Sequence, residues 1–329
     1  MDISQAEGRQ FVEAFLDSEP NCLSFAFRET LTRHTDGNPL FTVELLRGLQ
    51  ERGDLVQDEA GRWVEGPELD WERLPARVEA VIAERIGRLP SRCRDILAIA
   101  SVKGEVFRAE MVARVRGVDE KEVIHCLSGP LSQQYHLVCA EGIEPLCPGG
   151  QRLSQYRFRH YLFRKYLYTS LDEVERAHLH EAVGDVLEAF YKQDCAESKA
   201  MAVLAPQLAH HFELAGLTAK AVGYLLQSGQ RAVQLGANAE AIAHSNHGLA
   251  LLKTLPETSA EKRRIERDQQ ELALLLALCV PLLATTCFGS PEQRQVCDRA
   301  YALCQQLGTV PPQLVMALYM RERPGYGFS

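Results

Sequence analysis

The sequence lacks the features that a membrane-spanning, secreted or metal-binding protein would need. Its longest apolar run, residues 272–284, contains Pro281 and is too short to cross a bilayer, so it predicts a buried helix. Its ten cysteines include no Cys-x-x-Cys pair, and their spacing is typical neither of a zinc site nor of a disulfide framework. The N-terminus has no charged segment followed by an apolar core, so no signal peptide is visible. We therefore expect a cytoplasmic protein with reduced thiols, no metal and no membrane association.

A surplus of positive charge is also missing. Lys plus Arg number 36 against 44 Asp plus Glu, which gives a net charge of −8. Because binding to a phosphate backbone needs a surplus of cationic side chains, this balance argues against nucleic acid as the main partner. The 46% hydrophobic and 24% charged residues over 329 positions are typical of a soluble globular chain with two or three domains.

The sequence has no phosphate-binding loop. Such a loop needs the pattern Gly-x-x-x-x-Gly-Lys-Ser/Thr, so that backbone N–H groups surround the phosphates, and no Gly-Lys dipeptide occurs anywhere. No apolar strand ends in paired carboxylates that could position a magnesium ion, and no spacing indicates a Ser-His-Asp or Cys-His arrangement. We expect that the chain on its own is not an enzyme and has no catalytic residues.

The first 74 residues predict helices interrupted by a turn. Asp-Gly and Asn-Pro dipeptides at 36–39 favour non-helical backbone, and Pro39 can begin the next helix because its missing N–H costs nothing there. Residues 54–74 are irregular and could contain a short hairpin.

Residues 75–170 predict a winged-helix domain. An amphipathic helix from Pro75 to Pro90 is followed by three short helices at 93–102, 109–115 and 120–127, with Asp119 as a good N-cap. Residues 136–140 and 155–159 predict two strands around a loop rich in proline and glycine. At the end of the second strand the spacing changes to that of a helix, so a strand-to-helix junction is expected at Arg159 and His160.

From residue 171 onward only helices are predicted. Ala215-Gly216 precedes Ala221 by the same offset at which Leu235-Gly236 precedes Ala241, and small residues at fixed offsets are typical of helical-hairpin repeats. The offset of 20 residues between Ala221 and Ala241 is shorter than the about 34 residues of a tetratricopeptide repeat, so the units are degenerate. The charged residues 257–270 are expected to separate these helices from a further pair at 272–287 and 291–306. No polar capping helix is evident, so the array is expected to be truncated.

In the order and spacing of its motifs the chain resembles the STAND signal-transduction ATPases of bacteria. These regulators have a P-loop ATPase core followed by a lid, a winged helix and a tetratricopeptide-type array. The matching segments are the turn 35–41 with Glu44-Leu45-Leu46, the helix 74–90, the segment 156–168, and Leu208 to Gly216 leading into Lys220-Ala221. The resemblance implies a mainly α fold, with a lid remnant at 1–74, a winged-helix domain with one β-hairpin at 75–170, a helical spacer at 171–200 and a truncated TPR-like solenoid at 201–329.

The resemblance also implies a nucleotide site, although only in the presence of an ATPase core. In such proteins the Gly-x-Pro turn of the lid packs on the adenine of ATP or ADP, which indicates Gly37, Asn38 and Pro39. His160 is similar to the histidine that reaches the β-phosphate of ADP in plant resistance-type members, although Tyr161 stands where those members have an aspartate. The alternative interpretations are a simple helix-start turn and a partly buried histidine bonded to a backbone carbonyl.

Two other kinds of site are disfavoured by the sequence. The helix expected to read DNA begins Asp119-Glu120-Lys121-Glu122, and its carboxylates would be repelled by phosphates. His178 and His180 are two positions apart and so point to different sides of a helix, and no third metal ligand is in view for His244 and His247. The hypothesis that we favour is a regulatory module that relays nucleotide state and docks a partner protein through its repeats, with self-association as a further expectation. A free-standing TPR-like protein-binding scaffold and a fragment of an ATP-dependent regulator fused to a cyclase or DNA-binding output domain are the alternatives.

Overall fold

The computed structural model describes residues 5–67, 69, 71, 76–145, 151–194, 198–255, 261–286 and 290–308. The mainly helical fold with small β-sheets that the sequence predicts is confirmed. The chain divides into two compact units, one formed by residues up to Leu179 and the other beginning at His180. This boundary falls within the stretch 171–200 that was predicted as a spacer.

The first unit begins with helices and a short hairpin. Its elements up to residue 87 are α1 Gln5–Leu16, α2 Phe25–Thr35, α3 Pro39–Arg52, β1 Leu55–Gln57, β2 Trp63–Glu65 and α4 Ala76–Gly87. The apolar faces of α1, α2 and α3 share one core, whose largest members are Phe27, Leu31 and Leu45. The hairpin expected within 54–74 is formed by β1 and β2, which pair antiparallel. Pro75, which was expected to begin α4, lies outside the described residues.

The winged-helix part follows the predicted order of elements. Its helices and strands are α5 Ser91–Lys103, β3 Val106–Arg108, α6 Ala109–Arg116, α7 Glu120–Cys126, a π-helix Leu127–Gln134, β4 Val138–Pro145, β5 Arg152–Phe158 and α8 Tyr161–Ser170. The Asp119 carboxylate accepts the backbone N–H of Lys121, which confirms this N-cap. The β4–β5 pair is the predicted wing hairpin.

Two features of this part were missed. The predicted wing hairpin β4–β5 has a third strand beside it, because β3 pairs with β5 to make a three-stranded sheet in the order β3-β5-β4. β3 is only three residues long, too short for an alternating pattern to be visible, and it is held by pairing Phe107 with Tyr156. The π-helix after α7 contains Pro130, and sequence patterns do not distinguish such a widened turn from an ordinary helix end.

A buried thiol pair connects α5 and α7. The sulfur atoms of Cys93 and Cys126 are 2.8 Å apart. Burial, and then the contact with Cys93, raises the pKa of the Cys126 thiol to about 12. Because the thiolate is the reactive form, a thiol with so high a pKa reacts slowly with alkylating reagents.

We expect a timed pulse of iodoacetamide near pH 8 to label the exposed Cys22 well before Cys126 in the native protein. Peptide mass spectrometry measures the ratio of the two labels. In urea, where the burial of Cys126 is lost, the two cysteines should label at similar rates. Equal labelling of Cys22 and Cys126 in the native protein would contradict the buried thiol pair.

The second unit is a succession of antiparallel helices. The helix that carries the unit boundary is α9 Glu173–Asp194, and the helices after it are α10 Ser198–Leu214, α11 Thr218–Gln234, α12 Asn238–Thr254, α13 Glu261–Thr285 and α14 Pro291–Leu307. The predicted offset of 20 residues is therefore one helix plus one turn, since α10, α11 and α12 begin at 198, 218 and 238. Each turn contains a glycine with positive φ, Gly216 at 75° and Gly236 at 74°.

Small residues lie where these helices cross. Ala221 and Ala241 are fully buried, as the repeat pattern predicts. At the crossing of α11 and α12, a Cβ atom placed on Gly229 would lie 3.1 Å from Ser245 Oγ and 3.6 Å from Ala241 O. Lys220, next to Ala221, is exposed, pairs with Asp185 at 2.9 Å and lies over the Phe212 ring.

The most apolar helix of the second unit is α13. Its segment Arg264–Thr285 is long and apolar enough to cross a membrane by length and composition alone. Leu272, Leu275 and Cys279 of this helix are buried in one cluster with residues of α14, whereas Val280 is exposed. The buried helix predicted at 272–284 is confirmed. The expectation that residues 257–270 separate the helices is wrong from Glu261 onward, because this charged stretch is the start of α13, and Glu, Lys and Arg are good helix formers.

Candidate functional site

The turn between α2 and α3 carries three of the predicted site residues. Asp36 (φ 48°) and Gly37 (φ 67°) both have left-handed backbone, which is uncommon for a residue other than glycine. Asn38 Oδ1 accepts the backbone N–H groups of Leu40 and Phe41 at 3.0 and 3.3 Å and so caps α3. Pro39 occupies the first turn of α3. The turn therefore has the helix-start role that was one of the two interpretations, and the adenine contact stays a prediction.

Gly37 is held in place by a backbone crossing. It is buried against Gly8 of α1, and a Cβ atom on Gly37 would lie 2.2 Å from the Cα atom of Gly8. This approach is possible only between residues without side chains. The crossing fixes the turn against α1 and thereby fixes the position of the Asp36 side chain.

The strand-to-helix junction carries the fourth predicted residue. β5 ends at Phe158 and α8 begins at Tyr161, so His160 occupies the N-cap position with extended backbone (φ −131°, ψ 131°). The predicted junction at Arg159 and His160 is confirmed. The His160 side chain is 16% exposed, so it belongs to the interior of the unit but still reaches its surface.

The two predicted segments meet in the structure. His160 Nδ1 lies 3.9 Å from Asp36 Oδ2. The His160 ring is also edge-on to Phe41 of α3, with ring centroids 5.5 Å apart, and close to Phe163 of its own helix at 5.6 Å. Residues that are more than a hundred positions apart in the sequence thus form one site, which we call the turn–junction contact: Asp36, Gly37, Asn38, Pro39 and His160.

The Asp36 carboxylate is the charged centre of this contact. Burial raises its pKa above the ordinary range, whereas Arg157 and Arg159 of the β5 strand end oppose this shift. A carboxylate balanced between burial and two guanidinium groups is sensitive to any further charge placed beside it. The turn–junction contact can therefore respond electrostatically to a charged ligand or to protonation.

An aromatic layer below the contact was not anticipated from the sequence. Tyr161 stacks on His34 of α2 with ring centroids 4.4 Å apart, and His34 lies edge-on to Trp71 at 5.2 Å. Lys165 of α8 donates to the Trp71 carbonyl oxygen at 2.8 Å. This packing gives Tyr161 a structural partner and accounts for an aromatic residue at a position where an aspartate was expected. The only available signal was the aromatic richness of residues 156–168.

The helix expected to read DNA remains acidic at its start. Glu122 of α7 pairs with Arg92, and Arg116 of α6 pairs with Asp95 at 2.9 Å. These arginines are engaged by carboxylates at the surface of the unit. The prediction that this face does not bind nucleic acid stays a prediction, and its electrostatic basis is unchanged.

Two histidines of the second unit, His180 and His211, form a buried pair. His180 and His211 are buried, and their Nδ1 atoms lie 2.9 Å apart. His247 Nε2 lies 3.1 Å from Glu213. Across the described part of the chain, no group of three His, Cys, Asp or Glu residues is placed to hold a metal ion. The His180–His211 pair was missed, because the two residues lie on different helices and nothing in their spacing indicates contact.

Comparisons with protein-family models, with curated proteins and with solved structures gave no match to this chain. The resemblance to STAND ATPases therefore stays a prediction that rests on sequence motifs. What the chain can do must be inferred from the geometry of the turn–junction contact and of the helical unit.

Proposed function

We propose that the chain is a regulatory module of a STAND-type signal-transduction ATPase. In this proposal the first unit relays the nucleotide state of an ATPase core that this sequence does not contain, and the helical unit docks a partner protein. The module acts in the cytoplasm and does not itself hydrolyse ATP.

The observation that carries the proposal is the turn–junction contact. The resemblance selects Gly37, Asn38, Pro39 and His160 as residues that share one nucleotide, and these residues come from two segments far apart in the chain. A common ligand requires that they lie together, and His160 Nδ1 is 3.9 Å from the carboxylate that directly precedes Gly37. An imidazole at this position can donate an N–H to a phosphate.

The helical unit supports the partner-docking half of the proposal. Consecutive helices of similar length, joined by short glycine turns and packed through small residues, build an extended surface of the kind that repeat proteins use for binding. This feature alone would equally suit a free-standing protein-binding scaffold. The turn–junction contact favours the relay, because a scaffold has no need to bring the lid-type turn and His160 together.

The test is the effect of ADP on thermal stability. A ligand that binds only the folded state at ten times its Kd stabilises it by about 1.4 kcal/mol. The resemblance implies full nucleotide binding only with an ATPase core, so we expect weak binding by the chain alone. ADP at high millimolar concentration should raise the melting temperature of the full chain slightly, and His160→Ala should abolish this ADP-dependent rise. For each variant we compare the melting temperature with ADP to the melting temperature without it. A change in the stability of the unliganded protein therefore cancels.

The matched control is His125→Ala, an exposed histidine on α7 of the same unit. This variant should retain the full effect of ADP. ADP should also stabilise the chain more than pyrophosphate does, because the proposal places the adenine on the turn. An ADP effect that survives His160→Ala unchanged would refute the relay and leave the scaffold as the better interpretation.

A further inference from the structure

A cleft of about 600 Å³ lies beside the turn–junction contact in the first unit. Its lining comes from α1, α2, the Asp36 turn and the β5–α8 junction, and it includes five arginines: Arg9, Arg28, Arg33, Arg157 and Arg159. Four carboxylates also line it, so the formal balance of the lining is +1 in a chain whose net charge is −8. Glu13 is bound to Arg28, and the other three lining carboxylates, Glu29, Asp36 and Glu105, are matched by arginines, so the cleft is close to neutral in a chain that is acidic as a whole.

Two of these arginines are committed to the fold. Arg28 binds Glu13 at 2.7 Å, Asp17 at 2.8 Å and the Asn21 side chain at 2.8 Å, so its donors hold α1 and α2 together. Arg157 binds Glu141 of β4 at 2.7 Å and thereby fixes the edge of the wing hairpin. The charges of these two arginines are balanced by the carboxylates they bind, so we do not count either as a donor for a ligand.

Arg9 and Arg33 differ from them. Both are exposed, and neither forms an ion pair within the residues that the structure describes. Arg159 lines the same cleft and is positioned by its Nε–H, which donates to the Val138 carbonyl oxygen at 3.4 Å. The guanidinium groups of α1, α2 and the β5 end thus converge on one space from three separate segments.

We propose that this cleft binds the phosphate chain of a ligand with two or more adjacent phosphate groups. Guanidinium groups match phosphate oxygens with paired, charge-assisted hydrogen bonds. The volume exceeds what a single phosphate needs and is in the range of small-molecule sites. A phosphate chain here would lie beside Arg157 and Arg159, the two groups that lower the pKa of Asp36 against the effect of burial. Ligand binding in the cleft would therefore change the electrostatic environment of Asp36 in the turn–junction contact. That the ligand also carries an adenine rests on the proposed function. That its phosphates bind in the cleft rests on the arginines alone.

The test is calorimetric titration of the full chain with inorganic tripolyphosphate at low ionic strength, where charge interactions are least screened. We expect binding in the wild-type protein that is at least about tenfold weaker in Arg9→Gln, Arg33→Gln and Arg159→Gln, as loss of a hydrogen bond to a charged group predicts. Arg94→Gln, which removes an exposed arginine of α5 away from the cleft, should leave the affinity unchanged. Arg9→Gln and Arg33→Gln change exposed side chains, so these two variants should remain folded, which circular dichroism verifies.

Several outcomes would overturn the inference: no binding of tripolyphosphate, or equal weakening in Arg94→Gln and in the cleft variants. ADP binding that depends on His160 but ignores Arg9, Arg33 and Arg159 would also overturn it, while leaving the proposed relay intact. Tripolyphosphate binding in the cleft, with ADP no tighter than pyrophosphate and insensitive to His160, would support the cleft and refute the relay.

Discussion

Gly37→Ala should be strongly destabilising. The new methyl group would lie 2.2 Å from the Gly8 Cα atom, and the backbone φ of 67° disfavours any side chain. Left-handed backbone costs a residue such as alanine about 1–2 kcal/mol. Overpacking at a site that cannot yield adds about 1–3 kcal/mol. We expect both costs to appear as a large drop in the free energy of unfolding of the first unit, measured by urea denaturation followed by tryptophan fluorescence, since both tryptophans, Trp63 and Trp71, lie in this unit.

A second glycine separates the two costs. Gly53 ends α3 with φ 80°, and a Cβ atom placed there would meet nothing within 4 Å. Gly53→Ala should therefore cost only the backbone term of about 1–2 kcal/mol. The difference between the two variants measures the Gly8–Gly37 crossing. Equal losses in the free energy of unfolding for Gly37→Ala and Gly53→Ala would contradict the close packing of α1 against the turn.

How much of the fold follows from the sequence depends on the length of each element. The long amphipathic helices were predicted because their periodic patterns extend over many residues. The strand-to-helix change at His160 and the glycine turns of the second unit were predicted because they lie where such patterns change or end. β3 is three residues long and is held only by its pairing with β5, so its signal is tertiary. The start of α13 was missed for a different reason: a charged stretch was interpreted as a separator, although its residue types favour a helix.

The candidate site was predicted only in part. His160 and the turn at 37–39 were selected because their residue types and order resemble a family motif. In the structure His160 lies 3.9 Å from Asp36, the residue before this turn, and the nucleotide contact stays a prediction. Asp36 was not selected, because its importance comes from its left-handed backbone and its partial burial, and neither is visible in a sequence. The cleft arginines were missed for a similar reason: Arg9, Arg33 and Arg159 are ordinary surface residues until three segments fold against one another.

Ala241→Leu should destabilise the second unit. Ala241 is fully buried where α12 crosses α11, beside Gly229 and Ser245, and a larger side chain has no space there. Overpacking of such a crossing costs about 1–3 kcal/mol. Each kcal/mol lowers the melting temperature of a domain of this size by roughly 2–4 °C. Thermal melts followed by far-UV circular dichroism, which reports on the helices, measure the effect.

The same helix supplies the matched control. Ala243 is two positions further along α12 and is exposed, so Ala243→Leu makes the same chemical change without filling the crossing. Leucine is nearly as good a helix former as alanine, so this variant should melt close to the wild-type temperature. If Ala241→Leu and Ala243→Leu melted alike, the offset of 20 residues between Ala221 and Ala241 would not mark helix crossings, and the docking surface proposed for the second unit would lose its structural basis.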